Sequence, residues 1–227
     1  MPETLEAALN AHGLIVLGGF SPRPDDGVSP LADGETPGAV TLVGNAGPEM
    51  WTVFQTAQRD EPHPLNAWTR RVLGEIAADF GAVAVYPFSG PPFLPFQRWA
   101  GRTGTIFASP MTPAIHPVYG TWFGLRGALL SAAPLAPNPP PAAHPCETCA
   151  TKPCLSACPV GAIHPGNLDA AHCLTHLESP IGADCVAMSC RGRRACPVGR
   201  AWAYPPAQSA FHMEAFIRDF GPMVRGG

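Results

Sequence analysis

The 227-residue sequence predicts an α+β protein built from two unlike parts. Three observations carry that expectation. Short apolar runs alternate with helical patterns over residues 1–132, all eight cysteines fall between Cys146 and Cys196, and a proline run separates the two regions. The expected boundaries are an α/β region at 1–132, a linker at 133–145, a small cysteine-rich domain at 146–202, and a C-terminal helix and tail at 203–227.

Each element has its own signal. "PETLEAAL" places Pro2 near a helix start, with Gly13 as the C-cap. "LIVLGGF" (14–20) and "AVTLVGN" (39–45), bounded by Gly and Pro, read as buried strands. In "HPLNAWTRRVLGEIAADFG", Leu65, Trp68, Val72, Leu73, Ile76 and Phe80 recur at helical spacing. Arg70, Arg71, Glu75 and Asp79 fall between them, and Gly81 closes the helix. "AVAVYPF" (82–88) reads as a further strand, and "SGPPFLPFQRWAGRTG" as a loop with a short helix. "TWFGLRGALLSA" (121–132) has the character of one more strand. "APLAPNPPPAAHP" is an extended, polyproline-type linker. "AQSAFHMEAFIRDFG" reads as an amphipathic helix that packs back on one of the domains.

Composition narrows the function classes. The apolar fraction of 46% allows a hydrophobic core, while charged residues, at 14%, fall below the quarter or so of an ordinary soluble domain. That balance fits a protein covering a bulky cofactor or partner. A net charge of −3 argues against a nucleic-acid partner held by phosphate neutralisation. No apolar run is long enough to span a bilayer. "MPETLEAALNAHGLIVLGGF" lacks the basic region and cleavage site of a signal peptide. The expectation is a cytoplasmic protein, where clustered cysteines bind metal more often than they form structural disulfides.

The cysteines form an imperfect repeat. One run is Cys146-x2-Cys149-x4-Cys154-x3-Cys158-Pro159, the other Cys173-x11-Cys185-x4-Cys190-x5-Cys196-Pro197, and both close on "CPVG". A [4Fe–4S] cube needs four thiolates, and in two-cluster ferredoxins the cysteine before proline ligates the other cluster. Crossing the runs in that way gives one set of Cys146, Cys149, Cys154 and Cys196, and another of Cys158, Cys173, Cys185 and Cys190. Two alternatives compete: a pair of four-cysteine zinc sites, although only one C-x2-C occurs, and disulfides, which need an oxidising compartment. His144, His164, His172 and His176 flank the cysteines and read as surface or supporting residues. Arg191, Arg193 and Arg194 read as a solvated loop, or as a dock for an acidic electron donor.

Two resemblances follow from these residues. "CETCATKPCLSACPVGAI…LDAAHCLTHLE…DCVAMSCRGRRACPVG" resembles the ferredoxin module of epoxyqueuosine reductases and reductive dehalogenases. Both families join two [4Fe–4S] clusters to a cobalamin-binding domain. The widened first run and the "VAMS" insertion depart from that pattern. "IHPVYGTWFGLRGALL" is similar to a His-Pro-x-x-Gly-x-Trp-Phe-x-x-Arg-Gly segment of CblC-type cobalamin-processing proteins, which are nitroreductase-like. The resemblances imply a nitroreductase-like α/β domain followed by a small bacterial dicluster ferredoxin-like domain. They imply cobalamin bound near His116, Pro117, Tyr119, Gly120, Trp122, Phe123 and Arg126.

The activity implied is that of a cobalamin reductase or decyanase-type oxidoreductase. Electrons would pass from an external low-potential donor through two clusters to cobalt, with loss of its upper ligand. A rival reading is an electron carrier with FMN or FAD, or only a docking surface, in the α/β domain; "LVGNAG" (42–47) is its phosphate-loop candidate. A tRNA-modifying reductase is disfavoured, because the chain ends soon after the cysteines and lacks a basic surface.

Overall fold

The structure, a computed structural model, describes residues 4–31 and 34–225. Pro2, the expected helix-opening residue, and the last two residues of the tail lie outside the described residues. The described chain divides into two compact units. One falls within Met1–Phe107 and Phe123–Ala143, the other within Ala108–Trp122 and His144–Gly227.

The first unit is mixed α and β around an antiparallel sheet. Helix α1 (Leu5–Asn10) is capped by Thr4, whose Oγ1 accepts the Ala7 N–H at 3.2 Å. Its exit needs Gly13: φ is +66°, and a Cβ there would overlap the backbone of Glu49 and Met50. Strand β1 (Ile15–Phe20) pairs with β2 (Ala39–Ala46). Further along come α2 (Glu49–Ala57), α3 (Pro64–Asp79), β3 (Val83–Val85), α4 (Phe96–Arg102) and β4 (Phe123–Ser131).

The sheet order is β1-β2-β4-β3, antiparallel throughout. Strand β2 is buried along its whole length, which explains why it reads as an unbroken apolar run. Residues 42–46, expected as a phosphate loop, are part of this strand. Packing accounts for Gly44, where a Cβ would meet the Gly124 carbonyl and Leu17. Helices α1, α2 and α3 pack on the strands, and Phe54 lies edge-on to Trp68 at 5.9 Å. The proline-rich residues 133–143 stay with this unit, and the Ala142 N–H donates to the Gly104 carbonyl at 3.1 Å.

The second unit is made of short helices: α5 (Pro153–Ser156), α6 (Ala170–Leu177), α7 (Ala183–Met188), α8 (Arg191–Ala195) and the long α9 (Pro206–Arg225). A two-stranded ribbon, β5 (Ile163–His164) with β6 (Asn167–Leu168), lies between α5 and α6. Helix α9 packs on α6 and α7. Among the described residues, no helix is long and apolar enough to cross a membrane.

Candidate metal centre

All eight cysteines belong to the second unit, and none is in a disulfide. Their thiols act on one another in two groups. Burial pushes the Cys146 thiol up, and Cys196, Cys154 and Cys149 push it further, against a smaller pull from Lys152. Cys154 is raised by burial and then by Cys196, with Cys149 adding less. In the other group, burial, followed by Cys190, Cys158 and Cys185, pushes Cys173 up to about 12. Cys185 rises by burial first and by Cys190 after it. Each group draws on both cysteine runs.

Local structure fixes these positions. Lys152 adopts φ +39° ahead of α5, and its Nζ donates to the Cys149 carbonyl at 3.2 Å. The Cys146 N–H donates to His144 Nδ1 at 3.2 Å. Asp169 caps α6 by accepting the His172 N–H at 2.9 Å, and α6 carries both Cys173 and His176. Gly161 and Gly199 of the two "CPVG" words share a left-handed backbone, at φ +67° and +74°, so the sequence repeat is also a repeat of shape.

The basic run is anchored, contrary to its reading as a solvated loop. Arg191 and Arg194 both bind Asp184, the former at 2.8 Å, and hold that carboxyl below its usual range. This pairing ties α7, which carries Cys185, to α8, which begins after Cys190. Arg193 donates to the Thr121 carbonyl, with its guanidinium 4.5 Å from the Trp122 ring centre and 4.6 Å from that of Tyr204.

The segment expected to line a cobalamin pocket is divided at Trp122. His116 to Trp122 belong to the cysteine-bearing unit, whereas Phe123 and Arg126 lie on β4 of the first. His116 and Gly120 close a tight turn through two backbone hydrogen bonds of 2.8 Å, with Pro117 inside it. His116 Nδ1 accepts the Val118 N–H at 3.1 Å, which leaves Nε2 as the protonated nitrogen of the neutral ring. Burial lowers the His116 pKa to about 4. Its ring stacks on Tyr119 at 4.4 Å, and Tyr119 meets Trp202 edge-on at 4.9 Å. Gly120 and Gly199 allow two backbones to touch, since a Cβ on either would overlap the other loop. Trp122 is 3% exposed and packs on Tyr204. His116, Tyr119 and Trp122 pack within the second unit, while Phe123 and Arg126 belong to the first.

Eight thiols in two sets of four have the donor chemistry of iron–sulfur ligation. Among the described residues, no three His, Cys, Asp or Glu side chains are placed to hold a single metal ion. The second set, Cys158, Cys173, Cys185 and Cys190, lines one pocket together with Ile163, Leu177 and His176. The Cys158 sulfur accepts the Ala162 N–H at 3.3 Å. Raised thiol pKa values mean that a cationic metal group must draw these protons off as it binds.

The fold is similar to that of epoxyqueuosine reductases. A selenomethionine-labelled epoxyqueuosine reductase aligns over 91% of this chain and 67% of its own, with a TM-score of 0.53 and 18% identity. The enzyme from Bacillus subtilis gives 0.52 and 16% over 88% and 65% of the two chains. An epoxyqueuosine reductase with an epoxyqueuosine-modified tRNA-Tyr stem loop gives 0.52 and 17% over 91% and 67%. The chain thus spans about two thirds of the length of each, and at these identities the likeness concerns the fold. No protein-family model matches the chain, and no curated protein matches it. These likenesses do not show a CblC-type fusion.

Proposed function

We propose that the protein is an iron–sulfur electron-transfer oxidoreductase whose second unit holds two [4Fe–4S] clusters. One would be bound by Cys146, Cys149, Cys154 and Cys196, the other by Cys158, Cys173, Cys185 and Cys190. The observation that carries this reading is the sorting of eight thiols into two groups of four, each drawn from both runs. The fold likeness to epoxyqueuosine reductases supports it independently.

When bound, such clusters supply one-electron chemistry at low potential. The chain's own residues set the conditions. Lys152 brings a fixed positive charge to the first set. Cys154 and Cys196 are buried, which limits solvent access there. The Arg191–Asp184–Arg194 pairing holds Cys185 and Cys190 in register. Cobalamin is the acceptor that the sequence resemblance implies. His116 stacks on Tyr119, and Trp122 packs on Tyr204, within the second unit.

The test is anaerobic reconstitution of the full chain with iron and sulfide. The expected result is iron and sulfide matching two four-iron clusters, with an EPR signal on dithionite reduction. Zinc retained in place of iron, or loss of one of the eight thiols without loss of a cluster, would overturn the assignment. Adding cobalamin and FMN separately to the reduced protein identifies the acceptor by which one is reduced. The net charge of −3 predicts no retention of a tRNA stem loop in a filter-binding assay. The stem loop present in one fold neighbour is the reason to measure it.

A further inference from the structure

His176 is the buried polar side chain that the thiol sets leave unexplained. It is 7% exposed, and neither ring nitrogen has a hydrogen-bond partner among the described residues. An imidazole buried without partners carries an uncompensated desolvation cost, so the site needs a group that the protein does not supply. The ring lines the same cavity as Cys158, Cys173, Cys185 and Cys190. It lies three residues after Cys173 on α6, and that spacing puts both side chains on one helix face.

Its backbone is held from both sides. The His176 carbonyl accepts the Ser179 N–H at 3.1 Å and the Ser179 Oγ at 2.7 Å. Gly182 lets the following turn close on that carbonyl, since a Cβ there would overlap it. The ring is thus positioned by the turn after α6, with its polar edge left over.

We propose that His176 donates its N–H to a sulfur of the group bound by the second thiol set, and that this hydrogen bond raises the group's reduction potential. The inference rests on the iron–sulfur reading. Four thiols already match the four corners of a cube, so the imidazole serves as a donor to sulfur and leaves iron to the thiolates. Reduction adds negative charge to the cluster, and a donor aimed at it stabilises the reduced form. His176 is a positioning and tuning residue in this scheme.

The test compares wild type, His176→Phe and His176→Gln as reconstituted full-length chains, titrated electrochemically with EPR detection. His176→Phe keeps the bulk and removes the donor. It should retain both clusters and shift the reduction equilibrium of the second at least tenfold toward the oxidised form, or about 59 mV for one electron. The first cluster should not move, and His176→Gln, which keeps an N–H, should restore most of the shift. Unchanged potentials in His176→Phe would sink the inference, and so would loss of iron from the second cluster, which would make His176 a ligand. Pulsed EPR of ¹⁵N-histidine wild type decides the matter should the variants not fold. Weak nitrogen coupling supports the hydrogen bond, whereas strong coupling or none rejects it. A wild type that assembles no second cluster would overturn the iron–sulfur reading itself, a different failure from unchanged potentials.

Discussion

Lys152 is the only lysine in the chain, and it sits between two cysteines of the first set. Replacing it with Gln removes a positive charge and should lower the potential of the first cluster by about 1 kcal/mol, or roughly 40 mV for one electron. Redox titration followed by EPR reads that shift. His116 gives a prediction in pH. Its pKa falls from 6.5 unfolded to about 4 in the folded chain, so the unfolded state binds more protons between those values. This contribution to stability is complete above pH 6.5 and is lost as pH falls toward 4. The His116 imidazole NMR signals should stay flat from pH 8 to 5, and His116→Phe should flatten that part of the stability profile. Arg193 holds Trp122, Tyr204 and the Thr121 carbonyl together. Arg193→Ala should cost about 2–3 kcal/mol in thermal unfolding, and Lys should recover only part of it, because it lacks the planar fork.

At the scale of elements, the expected strands all appear, displaced by a residue or two except at β3, which is shorter, and at the last strand. The apolar pattern starts that strand at Thr121, but β4 begins at Phe123, and Thr121 and Trp122 belong to the other unit. The helix at 64–79 and the terminal helix were legible from their apolar spacing. The sequence pattern gives no separate signal for helix α2. It opens at Pro48 with no side-chain cap, and its buried Met50, Trp51 and Phe54 follow so closely on β2 that the two patterns merge. Another contact invisible in the sequence is the Asp26–Arg102 pair. Burial alone would raise Asp26, but the Arg23 N–H and the Arg102 guanidinium outweigh it and hold the carboxyl below its usual range. Asp26 is 4% exposed, and its carbonyl also accepts the Trp99 indole N–H at 2.8 Å. Asp26→Ala should cost about 2 kcal/mol, measured by denaturant unfolding near neutral pH. The difference from wild type should narrow as pH falls below the ordinary aspartate value of about 4 and through the lower folded value of Asp26.

Taken whole, the molecule divides its sources of stability. The first unit has a sheet with β2 fully buried and a core of Leu, Val, Met and Trp side chains. The second unit packs short helices near eight thiols, and Met111, Cys154 and Ile163 form a small apolar cluster there. Metal binding should therefore stabilise the second unit far more than the first. Hydrogen exchange on apo and reconstituted protein should show amides of α6, α7 and α8 gaining protection, while β2 and β4 change little. The sequence by itself determined the strands, the long helices and the set of eight donors, because periodicity, turn residues and spacing act within a few residues of one another. Only the tertiary structure decided that residues 115–122 belong with the cysteine-bearing unit and that His176 lines the cavity of the second thiol set. Those facts depend on partners tens of residues apart, and a side chain's burial and charge environment are set by neighbours that the chain brings close only when it folds.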